Sequence, residues 1–242
     1  MQRLNDTVIG DFQFLSDKVI VVANNSEKSL DLFTLPEPQG DTGRTPMTKV
    51  AKLWLPNTSH PIIKMRFCNP PAKNGTPHGN RQIDDAAISI KPFTNAPDHI
   101  IYCCVTTNTN FTGTFSLIVH SSTLLHYATG QGFNSIPWEE WSSAARCFSG
   151  WTREWTSFSG QQLLGRQTEI WDFNQYRVKR LGKGFAVETE TAHISVITKT
   201  SCVYVMDDEP FYSSLPYVKT VPKRRWVFQC LDDDRIFAVS TY

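Results

Sequence analysis

The side chains best suited to chemistry in this chain are six histidines and six cysteines, and their spacing does not suit a metal or catalytic centre. The histidines stand at 60, 78, 99, 120, 126 and 193. His120 and His126 are separated by an expected strand end and the start of a helix, which is not a metal-ligand spacing. The cysteines stand at 68, 103, 104, 147, 202 and 230, and no two make a C-x-x-C pair. Several lie in apolar runs, as in Ile100-Ile101-Tyr102-Cys103-Cys104-Val105 and Trp226-Val227-Phe228-Gln229-Cys230. There a free cysteine acts as a small hydrophobe. Six free thiols are therefore expected, in a reducing compartment, cytoplasmic or nuclear. Glu139-Glu140 can be read as paired carboxylates, but adjacent side chains diverge on either a helix or a strand. A solvated helix start, where acids favour the macrodipole, suits them better. The chain carries no G-x-S-x-G, Walker, dinucleotide-binding or H-E-x-x-H motif. The expectation is a non-enzymatic chain with no catalytic, metal or cofactor residue and no cofactor. No residue stands out as a partner contact by type and spacing alone.

The most distinctive composition runs from Trp138-Glu-Glu-Trp141 to Trp151-Thr-Arg-Glu-Trp155. Tryptophan and arginine dominate binding hot spots, so this is either a partner surface or core. Pro137 suits a first helical turn, and Trp138, Trp141, Ala145 and Phe148 lie near helical spacing up to Gly150. That pattern favours a helix whose tryptophan face packs on a sheet.

The elements expected to position these residues are mostly strands. Lys18–Ala23 reads K-V-I-V-V-A, as a strand buried on both faces would. Asn24-Asn25-Ser26 supplies turn chemistry, and the alternation at 30–34 makes the second strand of a hairpin. Residues 36–82 hold eight prolines and four glycines. They read as two long loops, 36–48 and 69–82, around strands at Val50–Leu55 and Ile62–Phe67. Further strands are expected at Ala87–Ile90, Ile100–Thr106 and Phe115–His120. A short helix follows at Thr123–Ala128, capped by Ser121-Ser122 and ended by Gly130. From Glu169 on, strands are expected at Glu169–Phe173, Tyr176–Leu181, Phe185–Thr189, Ile194–Thr198, Cys202–Met206, Arg225–Leu231 and Arg235–Val239.

This predicts an all-β fold, a propeller-like array of short antiparallel strands (a partial or small propeller) with one or two short helices, as one domain over 1–242. One internal echo supports repeated blades. Asp17-Lys18 precedes the strand Val19-Ile20-Val21-Val22, and Asp234-Arg235 precedes Ile236-Phe237-Ala238-Val239. The two copies lie about five periods of a roughly 43-residue blade apart.

Lysine and arginine total 24 and aspartate and glutamate 23, for a formal charge of +1. Such a balance supplies no bulk field for nucleic acid or an anionic membrane. Local charge clusters at Lys223-Arg224-Arg225, Asp207-Asp208-Glu209 and Asp232-Asp233-Asp234 read as solvated turns. No apolar run approaches the ~20 residues of a membrane span, and the first residues lack a secretory apolar region.

Several short segments, in order, resemble the C-terminal region of basidiomycete fungal F-box proteins over roughly residues 115–242. Ile136-Pro137-Trp138-Glu139-Glu140-Trp141 resembles that family's W-x-x-W-G-P segment, with Arg146 matching the arginine after it. Ser159-Gly160-Gln161-Gln162 resembles its G-x-R segment, and Ile170-Trp171-Asp172-Phe173-Asn174 its D-F-N strand end. Leu215-Pro216-Tyr217 resembles its L-P-Y segment, and Asp234-Arg235-Ile236 its D-R-I strand. Earlier, Phe14-Leu15-Ser16-Asp17-Lys18-Val19-Ile20-Val21 and Leu55-Pro56 match more loosely. Ser142-Ser143 replaces the family's Gly-Pro, and Gln162 its arginine. No leucine-rich F-box helix cluster precedes the β region in this sequence, so the chain reads as the C-terminal portion alone.

The resemblance implies a protein-binding module, the part of an intact F-box protein that presents a protein substrate to a cullin-type ligase. The ligase adaptor is not an expected partner here, nor is nucleic acid or membrane. The alternatives are a structural remnant with no partner, and a carbohydrate binder or hydrolase built on exposed aromatics.

Overall fold

A computed structural model describes residues 9–36, 46–68, 99–107, 113–130, 132–149, 157–159, 162–164, 169–205, 209–223, 226–232 and 235–240; at 9 and in 157–159, 162–164, 226–232 and 235–240 only the backbone is described. The chain is mostly β, with three short helices among these residues.

The first four strands run up and down in one antiparallel sheet: β1 (Ile9–Phe14), β2 (Val19–Asn24), β3 (Ser29–Thr34) and β4 (Thr48–Trp54). The β2–β3 hairpin is the one expected from the Asn24-Asn25-Ser26 turn. Its last turn residue, Lys28, takes φ 53°. β2 is buried along its whole length, as its unbroken apolar run requires.

A second antiparallel sheet begins with β5 (Ile62–Phe67), β6 (Ile100–Thr107) and β7 (Thr114–His120). The chain then forms α1 (Ser121–Ala128), β8 (Asn134–Ile136), which adds parallel to β4, and α2 (Trp138–Trp141). After a 3-10 turn, β9 (Ala145–Ser149) closes the second sheet against β7.

The third sheet has the order β10-β11-β12-β17-β14-β13. Its strands are β10 (Ser157–Ser159), β11 (Gln162–Leu164), β12 (Ile170–Asp172), β13 (Ala186–Glu188), β14 (Ala192–Ile197) and β17 (Tyr217–Pro222), with α3 (Gln175–Leu181) between β12 and β13. Two hairpins complete the described chain: β15 (Ser201–Val203) with β16 (Phe211–Ser213), and β18 (Trp226–Asp232) with β19 (Arg235–Ser240).

Strand alternation builds the layers. Val21, Ala23, Leu30, Leu32, Ala51 and Leu53 of the first sheet meet Met65, Ile101, Val105, Phe115 and Leu117 of the second in one buried core. The opposite face of the second sheet presents Ile100, Tyr102 and Ile118 to Phe173, Leu215 and Tyr217. Beyond, Val196 and Val218 of the third sheet pack on Val178 of α3.

The corner between the first two sheets is closed by side chains rather than by strand pairing. Asn25 accepts the Met65 N–H on Oδ1 at 3.1 Å, and Asp11 accepts the Phe67 N–H on Oδ2 at 3.0 Å. The other Asp11 oxygen accepts the Phe12 N–H at 2.8 Å. Backbone donors on an open sheet edge are templates for unwanted pairing, and these carboxylate and amide groups occupy them. The approach is close enough that a Cβ on Gly10 would sit 2.5 Å from Asn25 Oδ1 and 2.9 Å from the Met65 carbonyl oxygen.

Three expected elements differ. Tyr176–Leu181 lies in a helix, not a strand: Asn174 caps it by accepting the Arg177 N–H at 3.0 Å, and Arg177 pairs with Asp172 at 2.7 Å. Ala145 and Phe148 do not continue the tryptophan helix. They lie in β9, where Ala145 faces the first core and Phe148 the second. The helix after β7 starts at Ser121 with no side-chain cap; the Ser121 hydroxyl accepts the His99 N–H instead. The strand at Ala87–Ile90 and the loop 69–82 lie outside the described residues. The strand expected at Arg235–Val239 is β19, the second strand of a hairpin, as β2 is. The side chains of β19 lie outside the described ones.

Candidate functional site

The tryptophans of α2 are core. Trp141 is 0% exposed and Trp138 is buried beside it, their rings meeting edge to face at 4.8 Å. Glu139 and Glu140 point away, both exposed. Trp151 and Trp155 lie outside the described residues.

The other segments named in the resemblance that can be followed are also structural. Asp172 receives the Asn174 N–H and the Arg177 guanidinium, Phe173 is fully buried, and Asn174 caps α3. Leu215 and Tyr217 belong to the second core. Arg146 is buried against the Tyr217 ring, 5.1 Å away, and donates to the Lys199 carbonyl at 2.9 Å. Burial lowers the pKa of this guanidinium.

The described histidines do not gather. His120 is buried at the end of β7, His126 is exposed on α1, and His193 pairs with Glu188 at 2.8 Å on the surface. Among the described residues no three His, Cys, Asp or Glu side chains converge on one point.

What the fold does build is a groove on the face of the first sheet that points away from the core. Strand register sets two rows across it: Phe14, Ile20, Phe33 and Lys49, then Phe12, Val22, Asp31 and Lys52. Met47 and Leu35 close the apolar end, and the groove encloses about 490 Å³. That volume falls within the roughly 300–1,000 Å³ of ligand sites. The walls are open, however: Phe12, Phe14 and Met47 remain 54%, 42% and 45% exposed. Trp54 and Phe133 extend the exposed apolar surface past the charged end, under the ammonium groups of Lys52 and Lys49.

The polar end is held rigidly. Asn24 Nδ2 donates to Glu27 at 2.9 Å and Asp31 at 3.0 Å, while its Oδ1 accepts the Glu27 N–H. Ser29 donates to Asp31, Lys49 pairs with Asp31 at 2.6 Å, and Lys52 pairs with Glu27 at 2.7 Å. The Lys52 hydrogen bond keeps the Glu27 carboxyl below its ordinary pKa. Two carboxylates thus meet two ammonium groups, and the cluster is neutral overall.

None of these residues stands out in the sequence by motif. The available signal is the run Val19–Ala23, apolar on both strand faces: Val21 and Ala23 supply the core, which leaves Ile20 and Val22 to be covered from outside.

No protein-family model matches this chain, and no curated protein or solved structure matches it.

Proposed function

We propose that this chain is a non-enzymatic protein-binding module and that the outer face of β1–β4 is its contact surface. The observation that carries the reading is the clustering of Phe12, Phe14 and Met47, all exposed, around one groove, with the exposed Trp54 and Phe133 beside its lysines. Single exposed apolar side chains are ordinary on a protein surface; a contiguous patch rimmed by a polar network marks an interaction site.

The openness of the groove favours a protein over a small molecule. A small-molecule site buries most of its ligand, whereas walls that are half exposed leave one side of a ligand in water. A protein partner continues past the groove onto Trp54 and Phe133. Covering what remains exposed of Phe12, Phe14 and Met47 is worth roughly 2–4 kcal/mol. The neutral polar end adds orientation and favours an uncharged apolar segment, because no unmatched charge awaits a partner there.

Two further features support the reading. The resemblance of residues 115–242 to the C-terminal region of basidiomycete F-box proteins points to the part of those proteins that presents a protein substrate. The face-to-face stacking of antiparallel sheets, with a hairpin at each end of the described chain, supports a propeller-like array, an architecture whose blades leave faces and loops for partners. A cytoplasmic or nuclear setting belongs to the same proposal, supported by the free thiols of Cys68, Cys103, Cys104, Cys147 and Cys202.

Selection of a displayed library of random twelve-residue peptides on the wild-type chain tests this. Uncharged, apolar-rich peptides that fail to bind a Phe12→Glu/Phe14→Glu chain are expected. Selected peptides that bind both chains equally contradict it.

A further inference from the structure

We infer that Cys68 and Cys104 are a disulfide-forming pair, a modification site at the seam between the second and third sheets. Their sulfurs lie 3.7 Å apart. Cys104 is in β6, opposite Arg66, and Cys68 follows the end of β5, its N–H bonded to the Tyr102 carbonyl at 2.9 Å. Both side chains therefore project from the same sheet face, on neighbouring strands. A disulfide bond is about 2.05 Å long, so the sulfurs need to close by about 1.7 Å. Cys68 stands just past the last paired residue of its strand, so side-chain rotation and a small shift of the strand end supply that movement.

Among the described cysteines the surroundings single out this pair. Both thiols are half-buried at the rim of the second core, within reach of a small reagent. Cys103 and Cys147 are buried in the first core, and Cys202 is exposed on the β15–β16 hairpin, where Tyr212 stands opposite. The hydrogen bond with Cys104 and burial both push the Cys68 thiol up. At neutral pH the Cys68 thiol is therefore protonated and slow to react, and a higher pH speeds it, since the thiolate is the nucleophile.

The oxidant is a peroxide. One thiolate sulfur attacks a peroxide oxygen, breaking the O–O bond. It becomes a sulfenic acid, and the released hydroxide leaves as water with the thiol proton. The second sulfur attacks the sulfenic sulfur, the S–S bond forms, and a second water departs. Two thiols and one hydrogen peroxide give one disulfide and two waters, with two electrons passing from sulfur to oxygen. The product ties the end of β5 to β6 and closes a ring over residues 68–104, which restricts the unfolded chain.

The test uses the full chain, treated with hydrogen peroxide at pH 7 and pH 9. Remaining thiols are blocked with N-ethylmaleimide, and the mass is read before and after proteolysis. The expected result is a loss of two alkylatable thiols, a cross-linked peptide joining Cys68 to Cys104, faster formation at pH 9, and full reversal by dithiothreitol. The thermal midpoint of the oxidised chain should lie several degrees above that of the reduced one. Cys68→Ser and Cys104→Ala chains should each lose the cross-link while Cys202 remains modifiable. Oxidation confined to Cys202, a disulfide joining other positions, or six thiols still alkylated after exposure at pH 9 overturns the inference.

Discussion

The indole N–H of Trp141 donates to the carbonyl of Trp54 at 3.0 Å, a hydrogen bond that spans 87 positions of sequence. It ties α2 to the last residue of β4 and so fixes the end of the sheet that carries the groove. Trp141 is also among the largest fully buried side chains.

Trp141→Ala removes this packing and leaves a cavity. The expected loss is about 3–5 kcal/mol. Trp141→Phe keeps much of the ring volume but leaves the Trp54 carbonyl without its donor, for a loss of about 1–3 kcal/mol. Equilibrium urea unfolding of the three chains checks both values. Curves for Trp141→Ala that coincide with wild type would place the ring on the surface.

Val21 sits at the centre of β2 with no exposed surface, between Gln13 of β1 and Leu32 of β3. Val21→Asp puts a carboxyl into the first core with no partner, a cost beyond about 4 kcal/mol. The expected outcome is loss of the folded, soluble chain, read by circular dichroism and by yield. A soluble variant with an unchanged thermal midpoint would contradict the burial of β2.

Gly10 tests the sheet corner. A methyl group there meets Asn25 Oδ1 and the Met65 carbonyl at less than contact distance. Gly10→Ala should cost about 1–3 kcal/mol, the usual range for overpacking. Replacing Asn25 with alanine as well removes the contact with Asn25 Oδ1 but keeps the one with the Met65 carbonyl and takes away the acceptor of the Met65 N–H, so the double variant should not recover wild-type stability. A Gly10→Ala chain as stable as wild type would mean that the corner gives way easily.

Glu27 predicts a pH dependence. Its carboxyl titrates below its ordinary value of 4.5 because Lys52 hydrogen-bonds the charged form. A depressed folded-state value stabilises the fold above the unfolded-state value and loses that contribution as pH falls through the folded one. The effect is small, since the side chain is 41% exposed. Glu27→Gln should flatten part of the stability loss below about pH 4.5, followed by thermal midpoint between pH 3 and 7. An identical acid profile in the variant would mean that the Lys52 pair contributes nothing.

How far the fold can be read from the residues depends on how local the deciding contacts are. The apolar run of β2 and the turn at Asn24–Lys28 are local signals, and both elements are as expected. In α3, Tyr176 and Val178 alternate with Arg177 and Lys179 as in a strand. The Asn174 cap and the Asp172–Arg177 pair settle the matter for helix. Ala145 and Phe148 are three apart, which fits one helix face equally well as opposite faces of a strand. Pairing with β7, nearly thirty positions earlier, decides it. The burial of Trp138 and Trp141 was legible from Pro137 and the three-residue spacing. The groove was not: its rows join four strands, and only long-range register brings Phe12 and Phe14 beside Phe33 and Lys49.

The binding affinity of a selected apolar peptide tests the central claim most directly. It is measured by fluorescence anisotropy against wild type, Phe12→Glu/Phe14→Glu and, as a control elsewhere on the surface, Tyr204→Glu/Tyr212→Glu. The account predicts at least a tenfold weaker Kd for the first variant, about 1.4 kcal/mol or more, with an unchanged thermal midpoint and no change for the control. Equal affinity for wild type and the Phe12/Phe14 variant, or a loss confined to the Tyr204/Tyr212 chain, would contradict it.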